Sequence, residues 1–186
     1  TTGLPFLRCK LAMSLDGRTA MASGESKWIT GPEAREQVQK LRAGSGAIIT
    51  GIETVLADDP GLDVRSDLDC EQPIRVIVDS SLRIEKEAKI LNLPGEIVIA
   101  TAVSSKELLA EKQKSLGNNN VTFYSCANAD GKVNLDQLLR YLVSDKQCLD
   151  ILLESGAQLA GAMLAERLID EIITYIAPSL LGSEAR

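Results

Sequence analysis

Short apolar runs recur along the chain, and between them apolar residues fall at helical spacing. Residues 6–13 (FLRCKLAM) alternate loosely and predict a first strand. The runs at 47–50 (AIIT), 74–78 (IRVIV), 97–100 (IVIA), 121–124 (VTFY), 150–153 (DILL) and 171–176 (EIITYI) predict further strands. Thr30 as cap, Pro32 in the first turn and Glu33 completing a capping box open a helix. Its Ala34, Val38 and Leu41 share one face, and Gly44 and Gly46 lie past its end. Ser104 and Glu107 open a second helix, running to about Leu116 and stopped by the Gly-Asn-Asn-Asn run at 117–120. Asn134 caps a third, with Leu135, Leu138, Leu139 and Leu142 on one side, and 157–167 form a fourth. Residues 14–27 are too polar and small for a helix, and 51–60 read as a loop carrying Asp58 and Asp59. Strands alternating with helices predict an α/β domain with a largely parallel sheet and right-handed crossovers.

Composition narrows the chemistry. The 186 residues suit one domain spanning 6–186, with 1–5 read as a linker remnant. The sequence contains no histidine. That excludes a Ser-His-Asp or Cys-His nucleophile and any metal site built on imidazole, so no metal is expected. A net charge of −6 and 3% aromatic residues argue against a nucleic-acid partner. Cys9, Cys70, Cys126 and Cys148 form no C-x-x-C pair and read as free thiols of a reducing compartment. No apolar run is long enough to cross a membrane and no cleavable leader is seen, so a cytoplasmic protein is expected.

Two stretches carry candidate chemistry. In Leu153-Glu154-Ser155-Gly156-Ala157 a buried strand turns directly into a helix. Free backbone N–H groups and the positive end of the helix dipole then point beyond the sheet edge, where α/β sheets bind nucleotide phosphates. The Gly156-x-x-x-x-Gly161 spacing matches neither a dinucleotide fingerprint nor a P-loop, and Gly161 has the plainer reading of close helix packing. Glu154, at the strand end, is the functional candidate. In the second stretch, Lys10 sits inside an apolar strand, either facing water from an edge or paired with a buried partner. Trp28 is either core or the wall of a planar ligand site, and Asp16-Gly17 is first of all a turn. Asp58 and Arg65 follow a buried strand, and an arginine there can pair with a phosphate.

Taken in order, KLAMSLDGRTA (10–20), SGESKWIT (23–30), GIETVLADDP (51–60), L-x-V-R (62–65), VIVDS (76–80), ESGAQLAGA (154–162) and YIAPSLLG (175–182) resemble the pyrimidine reductase of riboflavin biosynthesis, the reductase half of the bifunctional bacterial deaminase-reductase. The resemblance implies a dihydrofolate-reductase-like three-layer α/β/α fold, here lacking its C-terminal strands. It also implies NADPH-dependent reduction of a phosphoribosylamino-pyrimidine to its ribitylamino form, in a homodimer, with a deaminase domain upstream. By the same resemblance, NADPH contacts fall on Ala12, Trp28, Thr54, Asp58, Ser80, Gly156, Ala157, Gln158, Leu159, Ala160, Gly161 and Ala162. Ser80 and Arg83 are the expected holders of the 2′-phosphate. Substrate contacts fall on Ser26, Arg42, Leu62, Arg65 and Glu154. Lys10, Glu154 and Asp58 are the candidate catalytic acids. The alternatives are a folate or pterin reductase of the same fold and a nucleotide-binding module without catalysis. The deaminase's H-x-E and P-C-x-x-C zinc pattern is absent from this sequence.

Overall fold

The strands around 76–77 and 97–99 are runs of Val and Ile because both of their faces are covered, and these five side chains are fully buried. The structure, a computed structural model, describes residues 3–21, 31–65, 70–118 and 120–185. The elements, in order, are β1 (Phe6–Ser14), α1 (Pro32–Ala43), β2 (Ala47–Gly51), α2 (Ile52–Asp58), β3 (Ile74–Val78), a short 3₁₀ helix (Lys89–Asn92), β4 (Ile97–Thr101), α3 (Lys106–Leu116), β5 (Val121–Ser125), α4 (Leu135–Ser144), β6 (Asp150–Leu153), α5 (Ala157–Ala165) and β7 (Glu171–Ala177). The seven strands form one sheet in the order β5-β4-β3-β2-β6-β1-β7, every pair parallel. Ile48, Ile77 and Ile99 pack with Ile52 and Val55 of α2 and Leu116 of α3 on one face. Ile49, Val76 and Ile151 pack with the four leucines of α4 and Met163 of α5 on the other. This is the three-layer, dihydrofolate-reductase-like arrangement.

From β2 the chain builds outward through β3, β4 and β5, whereas β6 returns to the other side of β2. The β2/β6 boundary is therefore the switch point, where crossovers diverge and leave a crevice at the strands' carboxyl ends. The β1 strand lies between β6 and β7, so Lys10 is not on an edge.

Several local expectations differ from the structure. The 51–60 segment is not a plain loop: Gly51 ends β2 and caps α2, and Ile52 and Val55 bury one face of a helix too short to show a period. Asp58 ends it, and Asp59 follows in the left-handed region at φ 43°. Gly31, not Thr30, is the cap residue of α1, with no side-chain cap bond; Thr30 lies outside the described residues. Ser105 rather than Ser104 caps α3, accepting from Leu108 N at 3.3 Å and donating to Glu107 at 2.8 Å. Helix α5 ends at Ala165, because Arg167 turns left-handed to bring buried Leu168 back to the core. Of the expected linker remnant, Thr1 and Thr2 lie outside the described residues, Leu4 packs against the α4-side core and Pro5 is buried. All four cysteines are free, and burial pushes the Cys126 thiol up to about 11.

The Asp16-Gly17 turn does more than reverse the chain. The Asp16 carboxylate accepts from Ser14 Oγ at 2.5 Å and from the backbone N–H groups of Leu181 and Gly182 at 3.1 and 2.8 Å. These bonds hold its pKa at about 2, below the usual 3.8. A depressed folded pKa adds stability that is complete above the unfolded value and is lost as pH falls through the folded one. An acid titration of the wild type should therefore show a loss between about pH 4 and 2 that Asp16→Asn lacks, followed by tryptophan fluorescence. Identical acid limbs would show that the clip does not hold the tail.

Candidate active site

At the switch point, Thr54 begins the second residue-pair of α2 while Glu154, Ser155 and Gly156 leave β6. Gly156 N–H donates to Thr54 Oγ1 at 3.1 Å, which ties the two strand exits together. Gly156 is extended and caps α5, so the next backbone N–H groups have no carbonyl one turn back to bond. Their dipoles make this end of α5 electropositive.

Glu154 is buried, and its side chain meets two cations drawn from different elements. Arg42 of α1 donates from Nε to Oε1 at 2.6 Å and from Nη2 to Oε2 at 3.1 Å, the fork that a guanidinium presents to a carboxylate. Its Nη1 donates to the Asp63 carbonyl at 2.9 Å. Lys10 Nζ approaches Oε2 to 3.6 Å from β1. Burial alone would raise the Glu154 pKa, but the Arg42 hydrogen bonds and charge, with Lys10 behind them, hold it below the usual carboxylate range. Two cations around one anion leave this three-residue group with one net positive charge. Tyr175 of β7 is also close: its phenol is pushed up first by burial and then by the charge of Glu154.

A cavity of about 690 Å³ opens over this group and is walled by Lys10, Ala12, Asp58, Leu62, Glu154 and Gly161. A second, of about 1240 Å³, takes in Ser80, Arg83, Lys132 and Gln158. Thr54, Gly156 and Ala157 line both, so the two are halves of one cleft divided by the start of α5. Ala160 turns to the first half, and Leu159 and Ala162 to the second. Close packing does not explain Gly161: a Cβ built there meets no atom within 4 Å, and the residue faces the first half. An electropositive helix end between two cavities, with a bare glycine facing one of them, suits an extended dinucleotide.

The sequence candidates sort clearly by position. Lys10, Arg42, Asp58, Leu62, Glu154 and the Gly156 turn come together in the first half, and Ser80 and Arg83 in the second. The Ser80 hydroxyl already accepts from Val133 N at 3.2 Å, and Arg83 is paired with Glu53. Arg65 is the exception, since its side chain is 60% exposed, 3.6 Å from Asp63, and does not wall either half. Ser26 and Trp28 lie outside the described residues. Glu53, Lys132 and Tyr175 were not singled out in the sequence, although Glu53 and Tyr175 lie in the matched 51–60 and 175–182 stretches. Glu53 and Lys132 line the cleft, and Tyr175 walls neither half but feels the charge of Glu154.

A family model described as the RibD C-terminal domain matches residues 5–186. The chain is 44% identical to the riboflavin biosynthesis protein RibD of Escherichia coli K12, aligning over all of this chain and 51% of that protein. It is 34% identical to the 5-amino-6-(5-phosphoribosylamino)uracil reductase of Buchnera aphidicola subsp. Acyrthosiphon pisum, over 89% of this chain and 82% of that one. Among solved structures, Acinetobacter baumannii RibD (form 1) superposes with a TM-score of 0.84 at 47% identity, over all of this chain and 49% of that one. The chain thus spans about half the length of the RibD relatives it matches. With the sheet order, the crevice and the matched residues in agreement, the chain belongs to the RibD C-terminal domain family.

Proposed function

We propose that this chain reduces 5-amino-6-(5-phosphoribosylamino)uracil to its ribitylamino form, using NADPH, as a step of riboflavin biosynthesis. The observation that carries this reading is the Lys10–Glu154–Arg42 group, set beside the electropositive start of α5 in one divided cleft. Bound along the cleft, a reduced nicotinamide supplies the hydride that adds to the sugar C1. The residues that would hold the dinucleotide are Ala12, Thr54 and Asp58 in the first half, the Gly156–Ala162 segment between, and Ser80 with Arg83 in the second. Lys132 and Arg83, the latter exchanging Glu53 for the ligand, would offer the 2′-phosphate two cations, which favours NADPH over NADH.

On the substrate, the ring opens as the C1–O4′ bond breaks. The amine proton moves to O4′, and a C1=N imine forms. After hydride adds to C1, the nitrogen takes one proton. Glu154 is held ionised by two cations, which suits it to fixing Lys10 and balancing charge rather than donating that proton. Lys10 is the ammonium that faces the cavity, and it is the donor in this reading. Leu62 and Arg42 bound the substrate's position, while Arg65 would reach the substrate phosphate only from the rim. A cytoplasmic homodimer, with a deaminase domain upstream as in the bifunctional enzymes, completes the proposal.

NADPH oxidation followed optically with this pyrimidine, beside dihydrofolate, tests the reading. Turnover of the pyrimidine alone supports it, and turnover of dihydrofolate, or of neither, removes it. Gly161→Ala gives a separate check on cofactor placement. Alanine should raise the melting temperature, since a helical glycine costs about 0.5–1 kcal/mol relative to alanine. It should also weaken NADPH binding by about ten-fold, the scale of one misplaced methyl group in a tight site. Unchanged affinity by titration calorimetry would mean that the ligand does not approach this face of α5.

A further inference from the structure

Asp58, Pro60 and Leu62 wall the first cavity half, and the described residues 59–65 that carry this stretch belong to no strand or helix. Asp59 and Leu62 are both left-handed, at φ 43° and 52°, a conformation that costs a side chain about 1 kcal/mol or more unless its surroundings hold it. Bonds to groups outside the stretch supply the hold. Asp59 Oδ1 accepts from Lys89 N–H at 2.7 Å, the Asp63 carbonyl accepts from Arg42 at 2.9 Å, and Arg65 N–H donates to Gln39 Oε1 at 2.7 Å. At Val64 the grip is double. Val64 N–H donates to Gln72 Oε1 at 2.9 Å, and Gln72 Nε2 donates to the Val64 carbonyl at 3.0 Å. The Gln72 carboxamide thus does for Val64 what a neighbouring strand's peptide does in a sheet, and only one orientation of the amide satisfies both bonds.

We propose that Gln72 is a positioning residue for substrate binding: by pairing with both backbone groups of Val64 it fixes the left-handed Leu62 against the cavity and the Asp63 carbonyl against Arg42. The inference rests on reading that cavity as the substrate site. Gln72 lines neither cavity half, so its influence passes through the wall it holds. The nicotinamide-side residues Thr54 and Gly156 are held independently, by their own bond. Loss of Gln72 should therefore weaken the pyrimidine and spare the cofactor.

Gln72→Glu separates positioning from mere folding. An ionised glutamate can accept from Val64 N–H but presents a second oxygen to the Val64 carbonyl. Once protonated, it can donate there and restores both bonds. Among the described residues, the charged groups around the position are Asp63 and Arg65 on the held segment, Glu71 beside it in the chain, and Arg75, which with Gln72 lies against Gly95. All four are present in wild type and variant alike, so the ratio of the two proteins reports the substituted group. In Gln72→Glu the KM for the phosphoribosylamino-pyrimidine should exceed the wild-type value by about ten-fold at pH 8, the size of one lost hydrogen bond with an acceptor left facing an acceptor. That ratio should fall toward one near pH 5, as the carboxyl gains its proton, while the KM for NADPH stays at the wild-type value at both pH values. A pH-independent ratio, or an equal rise in the NADPH KM, would overturn the proposal. Should wild type fail to turn over this pyrimidine, the functional reading falls by itself. The positioning role is then decided by hydrogen exchange at residues 62–65 of the variant, relative to wild type. Loss of protection confined to that segment and regained at low pH upholds it, and unchanged protection refutes it.

Discussion

Glu154→Gln should cost the protein both its turnover and a substantial part of its stability. The amide keeps the shape of the carboxylate but offers Arg42 one acceptor in place of two and no charge. Arg42, itself buried, and Lys10 would then face each other without an anion between them. Removing one partner of a buried pair leaves the other charge desolvated, which costs about 3 kcal/mol. The acid dependence follows from the same contacts. The folded pKa of Glu154 lies below the ordinary carboxyl value of 4.5. Its contribution to stability is therefore complete above that value and is lost as pH falls through the folded one. Thermal melts at neutral pH should show the variant well below wild type, with the gap closing in acid. Single-turnover hydride transfer should fall by about a hundred-fold or more, since Lys10 loses the group that aims it. A variant with wild-type melting and wild-type rate would show that the three side chains are not a working unit.

Lys10→Met should separate chemistry from folding. Methionine fills much of the volume of the lysine stem, and the Arg42–Glu154 fork remains intact without Lys10. Stability should change by about 1 kcal/mol or less, because the ammonium is partly exposed and lies 3.6 Å from its partner. The hydride-transfer rate at saturating NADPH should drop by roughly 10²- to 10⁴-fold, the range for loss of a positioned acid, with NADPH affinity retained. An unchanged single-turnover rate would assign the proton to another group, and Asp58 and Tyr175 would be next to be replaced.

The sheet was legible because parallel strands covered on both sides read as unbroken apolar runs. Each of the seven runs found in the sequence is a strand, several extended by one residue. Helix α4 was equally plain, with Asn134 accepting from Gln137 N and four leucines on one side. Helix α2 was not, because a seven-residue helix contributes only Ile52 and Val55 to the core and ends in two aspartates that look like a loop. The strand-end position of Glu154 and the apolar surroundings of Lys10 marked both residues without any knowledge of their meeting. Arg42 gave no such sign. On α1 it looks like one more basic residue of the last turn, and only the fold brings it across to Glu154, 112 positions away. Arg65 was marked by its place after a buried strand and by the matched L-x-V-R, yet its side chain is mostly exposed beside Asp63. The contacts of Gln39 and Gln72 were beyond reach for the same reason as Arg42: a side chain that substitutes for a strand leaves no period.

Fate of the hydride is the most direct measurement. With NADPH deuterated at the transferred position and 5-amino-6-(5-phosphoribosylamino)uracil as substrate, mass spectrometry and NMR of the product should find one deuterium on the former sugar C1 of a ribitylamino product. Deuterium on the pyrimidine ring, or NADPH bound and never oxidised, would contradict the assignment of this cleft.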